Sequence, residues 1–101
     1  IIARDETDPA CSWTVIVEVR TRVGRGKGSA LASVDARKVA QLRALTGAWC
    51  RQRGRLGSRV RIDVVAITLS AQSLRQWPDV DRADVDVRAL GAHAVWLRGV
   101  Q

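Results

Sequence analysis

Alternation of apolar and polar residues predicts two long strands. In the segment 13–22 the apolar side chains at every second position would share one face: Trp13, Val15, Val17 and Val19. A period of two with β-branched residues is typical of a strand. The segment 59–69 repeats the pattern and predicts the second long strand. Shorter apolar runs predict strands at 1–3, 85–89 and 93–97, the last two pairing across Gly91, whereas the polar segment 5–12 predicts a turn.

Between the two long strands the apolar period changes to that of a helix. Ser33 is the predicted N-cap of a helix over 34–52, which ends at Gly54. The apolar stripe of this helix consists of Val39, Leu42, Leu45, Thr46 and Trp49. Lys38 projects into the stripe, where its stem can carry the ammonium either to solvent or to a site at the edge of the sheet. The order of elements predicts an α/β domain in which a helix packs on a mixed β-sheet.

Positive charge is concentrated in the middle of the chain. The formal net charge is +7, but residues 18–61 contain twelve Lys or Arg and only two acids. The remainder is net acidic and includes a stretch with four carboxylates, Asp79, Asp81, Asp84 and Asp86. A localised positive field attracts polyanions, which favours nucleic acid as a partner over a basic face that only meets solvent.

Length and composition limit the remaining classes. The 101 residues suit one domain, no apolar run approaches the roughly 20 residues of a membrane span, and no signal-peptide pattern is present. Cys11, Cys50 and His93 are too few and too scattered for a structural zinc site. We therefore expect a cytoplasmic protein with reduced thiols, the alternative being a disulfide. Because the chain lacks Met and opens on strand residues, we also expect residues to precede Ile1.

Two acids, Glu18 and Asp63, lie inside the apolar strands. Burying a carboxylate is costly unless a cation, a metal or a hydrogen-bond donor accompanies it. Arg20 lies two residues after Glu18 and projects from the same strand face. A carboxylate and a cation on a central strand, followed by a basic loop and a helix, suit phosphodiester hydrolysis assisted by a metal ion. A surface salt bridge is the alternative explanation of this pair.

Three blocks of the sequence, taken in order, resemble the YraN family. They are Val15-Ile16-Val17-Glu18-Val19-Arg20-Thr21-Arg22, then Ala32-Ser33-Val34-Asp35-Ala36-Arg37-Lys38, then Arg61-Ile62-Asp63-Val64-Val65-Ala66-Ile67. The corresponding family patterns are V-F-V-E-V-[KR]-x-R, S-V-x-x-x-K and R-F-D-V-V. The resemblance extends over about residues 1–67 and is weak after Leu69.

The resemblance implies a restriction-endonuclease-like fold and a metal site. The family is similar to the PD-(D/E)xK nucleases and to archaeal Holliday-junction resolvases. By this resemblance Glu18 binds Mg²⁺ or Mn²⁺, Val19 offers its carbonyl as a further ligand, and Arg20 occupies the position of the motif lysine. A second metal-binding Asp is expected immediately before Ile1, so the chain would be a single endonuclease-like domain, residues 1–101, that lacks an N-terminal helix and the start of its first strand.

Two departures from the family pattern change the expected chemistry. Arg20 cannot act as a general base, because a guanidinium stays protonated at any useful pH, although it can stabilise negative charge. We therefore hypothesise that Lys38 supplies the missing ammonium as a further catalytic residue. A lone carboxylate holds Mg²⁺ weakly, so the chain is expected to be inactive by itself. Asp63 also matches the family pattern, but a structural role is the preferred interpretation.

These observations leave three functional hypotheses. The first is a metal-dependent endonuclease acting on structured or branched DNA, with phosphate contacts from four basic residues, Arg22, Arg25, Lys27 and Arg37. The second is a non-catalytic nucleic-acid-binding module on the nuclease fold, in which Glu18 and Arg20 form an ion pair. The third is an interaction protein whose basic segment meets an acidic partner, such as the acidic tail of a second copy in a homodimer.

Overall fold

The computed structural model describes residues 1–24, 30–54, 59–75 and 86–101, apart from the side chains of 73, 74, 87 and 90. Its elements are β1 (Ile2–Asp8), β2 (Cys11–Val23), α1 (Ala36–Gln52), β3 (Val60–Leu69), α2 (Ala71–Arg75) and β4 (His93–Leu97), with short 3₁₀ turns at Leu31–Ser33 and Val87–Leu90. The described helices include none that is long and apolar enough to cross a membrane.

The four strands form one mixed sheet in the order β1-β2-β3-β4. β1 runs antiparallel to β2, β2 runs parallel to β3, and β3 runs antiparallel to β4. Parallel neighbours need a crossover connection, and the segment that contains α1 provides it. The α/β architecture predicted from the sequence is therefore confirmed.

The core lies between α1 and the central strands. Leu42 of α1 packs in one buried cluster with Ile62 and Val64 of β3. Since side chains alternate along a strand, Ile62 and Val64 define the face of the sheet that α1 covers, which we call the helix face. The opposite face carries Val15, Val17 and Val65 and a groove of about 620 Å³ that these residues help to line.

The predicted apolar stripe of α1 is wrong at Leu45, whose side chain is 60% exposed. The buried residues of α1 are Leu42 and Cys50, which lie about 80° apart around the helix axis. Leu45 lies on the outer side of Leu42, away from Cys50. Cys50 and the half-buried Cys11 are both free, as expected for reduced thiols.

Three further boundaries differ from the prediction. In the segment predicted as a turn over 5–12, the turn is confined to residues 9 and 10, because β1 extends to Asp8 through its pairing with β2, which begins at Cys11. Of the strand predicted at 85–89, residue 85 lies outside the described residues, and the rest falls in the 3₁₀ turn Val87–Leu90 and the residue before it. β4 pairs with β3 and not across Gly91. The N-cap of α1 is Asp35 and not Ser33, since the Asp35 side chain accepts a hydrogen bond from the backbone N–H of Lys38.

Candidate active site

Glu18 lies on the helix face of the sheet, near the middle of β2. Its position is paired with Val64 of β3, and residues paired in this way share a face of the sheet. β2 lies between β1 and β3, and at Glu18 its backbone is paired with β3, while the start of the chain reaches only as far as Val17. The Glu18 side chain remains 27% exposed, which leaves its carboxylate accessible from solvent.

Lys38 reaches Glu18 from the first turn of α1. The Lys38 Nζ lies 2.9 Å from Glu18 Oε1. The Asp35 cap fixes the start of the helix through a hydrogen bond of 2.8 Å to the Lys38 backbone N–H, which sets the direction in which the lysine leaves the helix. The sequence left two positions open for the Lys38 ammonium, solvent or a site at the edge of the sheet. The ammonium lies at the sheet, where it pairs with Glu18.

Arg20 lies on the same face as Glu18 but has a different partner. Its Nε donates to Ser33 Oγ at 3.2 Å, and Ser33 Oγ in turn donates to the carbonyl of Ala30 at 2.6 Å. The structure describes both Arg20 and Glu18, and it records no salt bridge between them within 4.0 Å. The ion pair expected between Glu18 and Arg20 in a binding module is therefore formed by Glu18 and Lys38.

The start of the chain lies beside Glu18. Ile1 and Val17 exchange two backbone hydrogen bonds, and Ile2 is paired with Ile16 in the antiparallel register. By the same register, a residue joined before Ile1 in strand conformation would lie directly across from Glu18. Directly paired residues share a face, so its side chain would also point to the helix face.

The described residues do not complete a divalent metal site. They contain no group of three or more His, Cys, Asp or Glu side chains that could hold a metal ion. Among the described residues, Glu18 is the carboxylate that forms a salt bridge with Lys38, and Val19, whose carbonyl was expected to be a further ligand, is paired with Val65 of β3. Because Mg²⁺ favours several oxygen ligands in near-octahedral geometry, one carboxylate and one carbonyl do not suffice.

Asp63 is buried on the opposite face of the sheet and is saturated by donors. Its Oδ1 accepts from Arg61 Nε and from the Gly99 backbone N–H, and its Oδ2 accepts from Arg61 Nη2 and Trp96 Nε1. Burial raises the pKa of the Asp63 carboxyl, but these donors outweigh it and leave the pKa below its ordinary value. These contacts agree with the structural role preferred from the sequence.

The residues expected to contact phosphate are only partly described. Arg22 follows Arg20 on the helix face and is half-buried, while Arg37 is exposed in the first turn of α1. Arg25 and Lys27 lie outside the described residues. The contact between Ser33 and Arg20 was not predicted, because the hydroxyl of Ser33 was expected to cap the helix. The one signal for it in the sequence was the place of Ser33 in the second block of the family resemblance.

Comparison with known sequences gives relatives but no characterised activity. Residues 1–67 match the profile of the uncharacterised protein family UPF0102. A UPF0102 protein of Rhodococcus jostii is 49% identical over 57 residues, which cover 56% of this chain and 48% of that protein. A UPF0102 protein of Clavibacter michiganensis is 39% identical over 74 residues, covering 73% of this chain and 56% of that protein.

A UPF0102 protein of Mycobacterium avium is 38% identical over 73 residues, covering 72% of this chain and 55% of that protein. The chain thus spans about half the length of the curated relatives that it matches. No solved structure matches it significantly. Since the family profile covers the strands and the helix that carry Glu18, Arg20 and Lys38, the chain belongs to the uncharacterised protein family UPF0102, which is the YraN family that its sequence resembles.

Proposed function

We propose that the chain carries part of the active site of a metal-dependent endonuclease that acts on structured or branched DNA. The observation that carries this proposal is the juxtaposition of Lys38 and Glu18, whose Nζ and Oε1 are 2.9 Å apart, on the same sheet face as Arg20. A carboxylate beside two cations, within a segment that contains twelve basic residues and two acids, suits a site that binds a phosphodiester.

The residues of this chain contribute charge and orientation to the proposed reaction. The Lys38 ammonium and the Arg20 guanidinium would bind the scissile phosphate and stabilise the negative charge that builds up on it. Arg22 and Arg37 would contact neighbouring phosphates, which positions a nucleic acid without reading its sequence. The protein would therefore recognise the shape of the DNA and not its sequence, as the proposed action on branched substrates requires.

The proposed metal site needs a second carboxylate in addition to that of Glu18. A bound Mg²⁺ or Mn²⁺ would activate water and neutralise the phosphate, but Glu18 alone does not hold such an ion firmly. In the register of β1 with β2, a residue added before Ile1 would lie across from Glu18, where an Asp would supply the second carboxylate that the family resemblance implies. The 101-residue chain by itself is therefore expected to bind DNA without cleaving it.

The test compares two versions of the chain that differ in one residue, Asp or Asn, added before Ile1. Each is incubated with labelled duplex, flap and four-way-junction DNA, with Mg²⁺, with Mn²⁺ and without metal. We expect metal-dependent cleavage of the branched substrates by the Asp version only, and its loss in Glu18→Gln. Equal cleavage after Glu18→Gln, or none by the Asp version, would contradict the nuclease proposal.

A second candidate function is a nucleic-acid-binding module that does not cleave. The observation in its favour is the ion pair between the Lys38 ammonium and the Glu18 carboxylate. Binding should then weaken steeply as salt rises and should not respond to Mg²⁺ beyond its contribution to ionic strength. Salt-sensitive binding without cleavage by either version would support this candidate. Sedimentation of the same samples at micromolar concentration would test the possible homodimer.

A further inference from the structure

The hydroxyl of Ser33 is constrained to accept a hydrogen bond from Arg20. A serine hydroxyl carries one proton, and that of Ser33 is directed to the carbonyl of Ala30 at 2.6 Å. Its oxygen is left with lone pairs, and one of them receives Arg20 Nε–H at 3.2 Å. The contact is therefore directional: Ser33 can hold the guanidinium in place only through Nε.

The turn that carries Ser33 is itself anchored to the sheet. The buried Ala30 donates its backbone N–H to Thr68 Oγ1 of β3 at 3.1 Å. The 3₁₀ turn Leu31–Ser33 follows immediately, and the Ser33 backbone N–H donates to the Ala30 carbonyl at 3.2 Å. A continuous set of hydrogen bonds thus runs from β3 through the turn to the side chain of Arg20 on β2.

Fixing Nε leaves the outer edge of the Arg20 guanidinium available. A guanidinium has five N–H donors in one plane, and four of them are on its two terminal nitrogens. Among the described residues, the structure records no hydrogen bond or salt bridge from those terminal nitrogens. Two parallel N–H donors held in a plane match two oxygens of a phosphate, which makes such contacts specific as well as strong.

We propose that Ser33 is a positioning residue, which orients Arg20 so that its terminal nitrogens bind a phosphodiester. Ser33 itself does not touch the nucleic acid. This inference rests on nucleic-acid binding, the part that both proposed functions share, and it does not depend on cleavage.

The first experiment follows the Arg20 Nε–H signal by NMR in the free protein, using Ser33→Ala and Ser33→Thr. The threonine variant keeps the hydroxyl. We expect the Nε–H signal to be protected from exchange in the parent and in Ser33→Thr, and to shift and exchange faster in Ser33→Ala. An unchanged signal in Ser33→Ala would refute the assigned contact whether or not the protein binds DNA.

The second experiment measures binding of four-way-junction DNA in a double-mutant cycle of Ser33→Ala and Arg20→Ala. We expect Ser33→Ala to weaken binding about five-fold when Arg20 is present, within the range seen for coupled neighbours, and to have no effect when Arg20 is absent. An equal loss in both backgrounds would show that Ser33 acts only on the turn, and would overturn the proposal. Absence of any DNA binding by the parent protein would instead refute the proposed function together with this inference.

Discussion

The strongest stability prediction concerns Asp63→Asn, which removes one buried negative charge and changes the shape of the side chain very little. Each carboxylate oxygen of Asp63 accepts from two donors: Oδ1 from Arg61 Nε and Gly99 N–H, and Oδ2 from Arg61 Nη2 and Trp96 Nε1. An asparagine amide has one oxygen and one NH₂ group. In either orientation of the amide, the NH₂ group therefore faces two donors.

The expected loss of stability is about 3–4 kcal/mol. Two donors lose their acceptor, and one of them belongs to Arg61, whose side chain is only 14% exposed; a buried donor without an acceptor costs about 1–3 kcal/mol. Breaking a buried charge pair costs about 3–5 kcal/mol. The lower part of the range for breaking a charge pair applies, because Arg61 keeps a second partner: its Nη1 lies 3.0 Å from Asp5 Oδ2. For a domain of this size such a loss lowers Tm by about 15–25 °C.

Urea denaturation followed by tryptophan fluorescence and circular dichroism measures this change. The matched control is Asp86→Asn, in which the carboxylate and its partner Arg88 have side chains that are 56% and 73% exposed. The control should change the free energy of unfolding by less than about 0.5 kcal/mol. A loss below about 1 kcal/mol for Asp63→Asn would refute the argument that these donors depend on the carboxylate.

The same carboxyl predicts how stability depends on pH. Because the pKa of Asp63 is lowered in the folded state, its ionised form stabilises the fold at pH values above the ordinary Asp pKa of about 4. That contribution is lost as the pH falls from there toward the lower pKa of the folded state. The difference between the parent and Asp63→Asn should hold from pH 7 to about pH 5 and shrink below about pH 4. A difference that stays constant on acidification would contradict the assigned pKa direction.

Three further predictions concern the site and the helix. Reversing either charge of the Glu18–Lys38 pair should cost about 1 kcal/mol in urea denaturation, and the double swap should restore most of it. In the version with Asp added before Ile1, the double swap should not restore DNA cleavage, because the carboxylate then lies on the helix. Leu42→Ala should cost about 2–4 kcal/mol in the same assay, since Leu42 is buried in the core, whereas Leu45→Ala at an exposed position should cost less than about 0.5 kcal/mol. Gly54→Ala should cost about 1 kcal/mol, because Gly54 ends the helix region with a φ of +63°.

The sequence was sufficient for the elements whose periodicity comes from burial. Alternation predicted β2 and β3, and helical spacing predicted α1, because these elements pack against the core. Only the start of β1 was predicted, as the strand at 1–3, since Asp5, Glu6 and Asp8 give the rest of the strand the composition of a turn. The rest of β1 is strand through its backbone pairing with β2, and Arg61 and Arg98, which are distant in the sequence, both bind Asp5.

Local hydrogen bonds of side chains explain two other errors, the strand predicted at 85–89 and the N-cap predicted for α1. The valines of 85–89 suggested a strand, but Asp86 accepts a hydrogen bond from the Arg88 backbone N–H at 3.0 Å, which favours the 3₁₀ turn that follows. Ser33 and Asp35 are both good N-cap residues, and sequence alone does not decide between them. The fold decides it, because the hydroxyl of Ser33 is engaged by Arg20 and the Ala30 carbonyl.

The two acids inside apolar strands, Glu18 and Asp63, lie on opposite faces of the sheet, and this accounts for their different surroundings. Asp63 meets four donors on its own face and has no side-chain exposure, so its carboxylate has little capacity left for a ligand. Glu18, on the other face, is paired with one lysine and remains 27% exposed, so an incoming cation or phosphate group can reach it by displacing or joining that lysine. A one-residue shift of β2 against β3 would move Glu18 to the face that holds Asp63. The register of β2 with β3 therefore determines which carboxylate stabilises the fold and which is available for the proposed chemistry.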